Sequence, residues 1–233
     1  MYSAKSKFEF IPRGFSDTAV LIPGWASDCR IFVSLDLPYN YLLLVELNIS
    51  DFEKELLLAL ERNSVKKAHL LGWSLGGFLA ADFSAKNPLL VRELILLSIA
   101  REFDSNLLQE IAQKLKKNKR AYLYKFYRDC FSPDDKTGWC WFKKNLLEDY
   151  INTMGLKNLI SGLEYLSAAR LIPAELSRLD KIRIFHGEDD RIMPFSHAAG
   201  MISEFRGADF TAFSGIGHIC FLNSRFKEKF SHG

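Results

Sequence analysis

Cysteine is scarce in this chain and never falls in a C-x-x-C pair: Cys29, Cys130, Cys140 and Cys220 are the only four in 233 residues. This argues against a disulfide scaffold and suits a reducing compartment with free thiols. Long apolar runs are missing as well. The longest cover a few residues, far below the roughly 20 needed to span a bilayer. Met1 to Lys5 lead into Lys7, Glu9 and Arg13 without the apolar stretch of a signal peptide. The expectation is a cytoplasmic protein with no membrane partner. Charge of one sign is also lacking, because 31 Lys and Arg stand against 28 Asp and Glu. A net +3 gives no footing for nucleic acid. There are no repeats, no low-complexity tracts and no P-loop. Gly215-Ile216-Gly217 lacks the third glycine and the strand-to-helix setting of a dinucleotide fingerprint, so no cofactor is expected.

What is present is enough for a real core: 48% of the residues are hydrophobic and 25% charged. A monomer is expected. Short β-rich runs alternate with helical patterns, the sign of an α/β protein with a mostly parallel sheet flanked by helices. The expected strands are Thr18 to Pro23, Tyr41 to Leu47, Ala68 to Trp73, Glu93 to Ser98, Ile182 to His186 and Asp209 to Phe213. Helices are expected over Phe52 to Arg62, after an N-cap at Ser50 or Asp51, and over Gly76 to Lys86, Phe195 to Glu204 and Phe221 to Phe230. From about Arg101 to Leu179 no β-like run occurs. Residues 101–179 therefore read as a helical cap inserted between two parts of one core, 1–100 and 180–233. The cap begins with a helix over Asn106 to Arg128, and Phe142 to Met154 forms another.

The most informative stretch is Ala68-His69-Leu70-Leu71-Gly72-Trp73-Ser74-Leu75-Gly76-Gly77, which holds G-x-S-x-G between an apolar strand and an Ala-rich helix. A serine on such a strained turn projects above the sheet at a helix N-terminus, and its neighbours two before and two after must be small. The competing reading is an ordinary glycine-rich turn with an idle serine. A serine nucleophile needs a histidine base and an orienting acid, arriving in the order Ser, Asp, His. His218, in the glycine-flanked loop Gly215-Ile216-Gly217-His218, is the candidate base. After the strand Ile182 to His186, either Asp189 or Asp190 can be the acid, or both can be turn residues. The backbone N–H groups of Leu75 and Trp25 are the candidate oxyanion donors, the latter from the Pro23-Gly24-Trp25 loop. His69 and His186 read as hydrogen-bonded core residues, His197 as a surface residue and His232 as part of a tail. The cluster His186, Glu188, Asp189, Asp190 and His197 matches no ligand template, so no metal is expected.

These residues resemble the α/β-hydrolase superfamily and, more narrowly, the pimeloyl-[acyl-carrier-protein] methyl ester carboxylesterases of biotin synthesis. The likeness runs from Val20 to Phe230. It rests on Pro23-Gly24-Trp25, on Gly72-Trp73-Ser74-Leu75-Gly76-Gly77 and on Gly162-Leu163-Glu164-Tyr165-Leu166 near the end of the cap. Pro23 stands where that group has His, and the turn after Leu47 lacks its Gly-x-Gly-x-Ser. The resemblance implies an α/β-hydrolase fold with Asp190 as the acid. It also implies a substrate site drawing on Trp25, Ser74, Leu75 and His218 and on the cap residues Phe126, Tyr127, Arg128, Asp129 and Cys130. The reaction it implies is hydrolysis of a carrier-bound pimeloyl methyl ester. Between Lys114 and Arg128 the chain carries seven cations and no acid. A docking face for an acidic acyl-carrier protein, made of Lys116, Lys117, Lys119, Arg120 and Arg128, follows from that run and the resemblance together. The same run also reads as a solvated helix face. The other functional readings are a general small-molecule carboxylesterase, thioesterase or lactonase, and a non-catalytic binding protein of the same fold.

Overall fold

In the computed structural model, residues 5–205 and 207–231 are described. His232 and the first four residues lie outside that range. Among the described residues seven strands form one sheet: β1 (Lys7–Ile11), β2 (Thr18–Ile22), β3 (Asn40–Glu46), β4 (Ala68–Trp73), β5 (Val91–Leu97), β6 (Ile182–Gly187) and β7 (Asp209–Phe213). Their spatial order is β1-β3-β2-β4-β5-β6-β7. All pairings are parallel except β1 with β3. Strands β2, β4 and β6 are buried along their whole length, which explains their unbroken apolar runs.

The order has a consequence for the site. From β2 the chain steps outward to β3, then crosses back over β2 to β4 and continues the other way. The loops after β2 and β4 therefore leave the same sheet edge in opposite directions and open a crevice at their carboxyl ends. Trp25 follows β2 and Ser74 follows β4, so the topology alone brings the two together.

Flanking the sheet are α1 (Phe52–Arg62), α2 (Leu75–Lys86), α7 (Phe195–Ile202) and α8 (Ser224–Ser231). Between β5 and β6 lie α3 (Ser105–Asp129), α4 (Lys136–Asn145), α5 (Leu147–Thr153) and α6 (Leu156–Ala168), with α3 packed on α5 and α6.

Several expected boundaries shift, each for a local reason. Strand β1 was not anticipated; its Lys7-Phe8-Glu9-Phe10 alternation is that of a short edge strand with one face on the core. The residue at the start of α1 is Asp51, but its carboxylate accepts the Ser6 N–H at 3.0 Å instead of capping the helix. Helix α3 is broken at Asn118 (φ −157°, ψ 88°), whose Oδ1 accepts the Ala121 N–H at 3.0 Å and so recaps the second half. The stretch expected as one helix over Phe142 to Met154 is divided at Leu146 into α4 and α5. A 3₁₀ turn over Cys220–Leu222 takes the first residues expected of the closing helix.

Candidate active site

Ser74 sits between β4 and α2 at φ 52°, ψ −117°, a conformation that non-glycine residues seldom adopt. Backbone bonds hold it there: its N–H donates to Leu97 O at 3.0 Å and its carbonyl accepts the Gly77 N–H at 2.8 Å. The turn is so tight that a Cβ on Gly72 would stand 2.3 Å from Gly76 O, and one on Gly76 would stand 2.2 Å from Ile22 O. Only glycine fits either place. Leu75 opens α2, so its N–H has no acceptor within the helix and points outward from the positive end of the helix dipole.

His218 and Asp190 meet from different strands. His218, in the loop after β7, has Nδ1 2.7 Å from Asp190 Oδ2, and both side chains are buried. A carboxylate can only accept, so Nδ1 carries the proton and Nε2 is left as a free lone pair. The Asp190 carboxylate is anchored on its other oxygen, where Oδ1 accepts the N–H groups of Ile192 and Met193 at 2.8 Å each. Asp189 differs: its side chain is exposed, and its N–H donates to Ile216 O. Trp73 bridges the serine and histidine loops, with Nε1 donating to His218 O at 2.9 Å and the two rings 5.4 Å apart. Among the described residues no hydrogen bond joins Ser74 Oγ to the imidazole. Such contacts commonly tighten only when substrate binds.

The loop after β2 is tied to the inserted helices. Trp25 Nε1 donates to Leu159 O at 2.8 Å, and the indole meets Phe126 edge-on at 4.8 Å. Tyr127 donates to Ala26 O at 2.7 Å, and Tyr150 donates to Asp28 Oδ1 at 3.0 Å. The His218 N–H donates to Cys130 O at 2.8 Å, so the end of α3 also fixes the histidine loop. Together these contacts close over the serine, which is only 4% exposed. Burial and the nearby Asp190 push the Cys130 thiol well above the ordinary range, and burial pushes Cys220 up to about 12, so both stay neutral.

Not every expected site residue joins this group. Phe126, Tyr127 and Cys130 face inward, but Arg128 and Asp129 are half-buried and turned elsewhere. Arg128 donates to Phe131 O and lies over the Trp139 ring, and Asp129 pairs with Lys125. Several cations of the run are engaged within the protein, some by acids from other parts of the chain. Lys119 donates to Met154 O, Arg120 pairs with Glu148 at 2.8 Å and Lys114 with Glu110 at 3.2 Å. Lys116 and Lys117 are both exposed. Sequence reading missed the indole bond of Trp25 and the Asp28–Tyr150 tie, since their partners lie more than a hundred residues away. Among the described residues no three His, Cys, Asp or Glu side chains cluster to hold a metal, and no helix is long and apolar enough to cross a membrane.

A buried parallel strand, a strained serine and a helix, with a histidine–carboxylate pair from later strands, have the layout of an α/β hydrolase. Residues 38–224 match the family model for the alpha/beta hydrolase fold, and the chain belongs to that family. No curated protein matches it in sequence. Among solved structures it is similar to an esterase from Exiguobacterium antarcticum, with TM-score 0.80 and 19% identity over 97% of this chain and 93% of that one. It is similar to the enol-lactonase from Burkholderia xenovorans, with TM-score 0.79 and 15% identity over 97% and 94%. It is also similar to the esterase RhEst1 from a Rhodococcus species, with TM-score 0.76 and 17% identity over 97% and 92%. At these identities the likeness is one of fold.

Proposed function

We propose that this chain is a serine carboxylesterase, and the observation that carries the reading is the buried 2.7 Å contact between His218 Nδ1 and Asp190 Oδ2. That contact leaves Nε2 as the basic nitrogen, on a loop tied through Trp73 to the strained serine. Ser74 Oγ attacks the ester carbonyl while His218 Nε2 takes its proton. The tetrahedral oxyanion is held by the N–H groups of Leu75 and Trp25. On collapse the imidazolium gives its proton to the departing alcohol, and a water activated by the same nitrogen releases the acid and restores the serine. Ser74→Ala removes the nucleophile and should abolish hydrolysis of p-nitrophenyl butyrate, and labelling by a fluorophosphonate probe, with thermal stability near that of wild type. A variant that stays active sinks the proposal.

Two substrate readings follow. The methyl ester of pimeloyl-acyl-carrier protein is supported by the likeness of the Trp25 loop and the Ser74 elbow, and by exposed Lys116 and Lys117 as a reduced docking face in a cytoplasmic, monomeric enzyme. A small free ester, thioester or lactone is favoured by the engagement of Lys119, Arg120 and Arg128 within the protein itself. Reversing both charges, Lys116→Glu with Lys117→Glu, discriminates between them. The carrier reading expects kcat/KM on the carrier-bound ester to fall about ten-fold or more, with a free ester unaffected. An unchanged kcat/KM on the carrier-bound ester favours the small-ester reading.

A further inference from the structure

A second histidine stands behind the acid and has no part in the chemistry above. His186 lies in β6 four residues before Asp190, and its side chain is fully buried. Its Nε2 is 2.9 Å from Met193 O and 3.4 Å from Asp190 Oδ2. Both oxygens can only accept, so Nε2 bears the proton, and Nδ1 is left as a buried lone pair with no donor partner among the described residues. An unsatisfied buried atom of this kind is destabilising. Phenylalanine would remove the bare Nδ1 but would leave the buried carbonyl of Met193 without its donor, so packing alone does not account for an imidazole here. Its N–H edge does.

The surroundings keep the ring neutral. Burial pushes His186 below the ordinary histidine range, against the pull of Asp190 and with His218 adding to the effect. Among the described residues the thiols of Cys130 and Cys220 also feel this carboxylate, and both are neutral. From α7, Phe195 meets the His186 ring edge-on at 6.0 Å. Glu188, Asp189 and Arg191 of the same turn, and His197 of α7, are exposed.

We propose that His186 is a positioning residue for the Asp190–His218 pair. Its N–H holds Met193 O and thereby the turn whose Ile192 and Met193 N–H groups grip Asp190 Oδ1. The same N–H turns its positive edge toward Oδ2, the oxygen that faces His218, and tempers the charge felt by the imidazole. Without that edge the carboxylate is looser, and it stabilises a protonated His218 more strongly. The turnover rate then falls, and the acidic limb of kcat/KM moves to higher pH. The proposal rests on Ser74, Asp190 and His218 being the catalytic set.

Three variants separate positioning from simple packing. His186→Phe removes both nitrogens; His186→Asn places an amide at the Nδ1 side only; His186→Gln carries an N–H to about the place of Nε2. Each is measured by thermal melting, by kcat, KM and pH profile on p-nitrophenyl butyrate, and by the low-field proton resonance of His218 Nδ1–H, assigned as the signal missing from His218→Gln. The resonance reports on the pair whether or not any ester is turned over. An inactive wild type with the resonance in place would therefore sink the esterase reading and leave this one standing. The Phe and Asn variants are expected to lose kcat about ten-fold with KM nearly constant, to shift the acidic limb upward and to displace the resonance. The Phe variant loses the unsatisfied Nδ1 but strips Met193 O of its donor, so the two effects offset and its melting temperature should stay near that of wild type. The Gln variant should restore kcat, pH profile and resonance. Wild-type resonance and pH profile in His186→Phe or His186→Asn overturn the proposal, and so does a Gln variant that loses what Phe loses.

Discussion

An imidazole serves as a base only through the nitrogen its partner leaves bare, and at His218 that choice is made by one oxygen of Asp190. An amide in place of the carboxylate can donate as well as accept. Asp190→Asn therefore permits the other tautomer, in which Nε2 holds the proton and cannot take one from Ser74. The expected loss in kcat is roughly three to four orders of magnitude, read on a p-nitrophenyl ester, with the overall fold retained. Asp189→Asn changes an exposed side chain and should stay within about three-fold of wild type. The reverse order of losses would reassign the acid. Adjacent acids in one turn share every local cue, so the chain by itself leaves the two aspartates open. Only the direction of the turn, set by the N–H groups of Ile192 and Met193, aims one of them inward. Ser74 was legible because its signal is local: glycines at ±2 between an apolar strand and a helix. The use made of His186 was not, because a histidine in an apolar strand reads as core until its partners in space are known.

At the scale of elements, the β2 loop and α6 are joined through one side chain. A Cβ on Gly162 would lie 2.6 Å from Trp25 Cδ1, and the indole has little room to yield, bonded to Leu159 O and faced by Phe126. Gly162→Ala should therefore cost about 1–3 kcal/mol in urea denaturation. Because the displaced residue also carries a proposed oxyanion donor, kcat should fall more than KM rises. A destabilised variant with wild-type kcat would show that the indole and its own backbone N–H move independently. Most strands and α1 were readable because parallel strands buried on both faces write continuous apolar runs, and α1 keeps one apolar face. Strand β1 escaped notice because five residues of alternating character carry little signal. The inserted helices were legible as helices, but not in their breaks: Asn118 recaps a helix from within, using a bond three residues away. The cationic run illustrates the same limit on a longer scale. Seven positive residues are plain to see, whereas Glu148 is supplied by a different helix and reaches Arg120 only in the fold.

For the molecule as a whole, the end of the sheet remote from Ser74 holds a charge network that links three neighbouring strands. Glu93 on β5 accepts from Arg183 on β6 at 2.6 Å and from His69 on β4 at 2.8 Å. Lys181 approaches Glu93 to 3.5 Å, and Arg183 also donates to Phe230 O in α8. Burial alone would raise the Glu93 carboxyl. The hydrogen bonds from His69 and Arg183, together with their charges, outweigh it and bring the group down to about 2. A carboxylate lowered in the folded state adds stability above its unfolded value, near 4.3, and loses it as the pH falls toward the folded value. The contribution is on the order of 3 kcal/mol at neutral pH, and it should drain away between about pH 5 and pH 2. Glu93→Gln leaves the buried Arg183 without its counter-charge and should cost about 3–5 kcal/mol at pH 7. It should also flatten the acid dependence, because the group that takes up the proton on unfolding is gone. Urea denaturation of both proteins at pH 7, 5 and 3.5 measures the two effects together. Wild type is expected to weaken across that series and the variant to start lower and change less, so that the gap between them narrows in acid. If the gap stays constant, the acid sensitivity belongs to other carboxylates, and the three strands are held by packing independently of the charge at their centre.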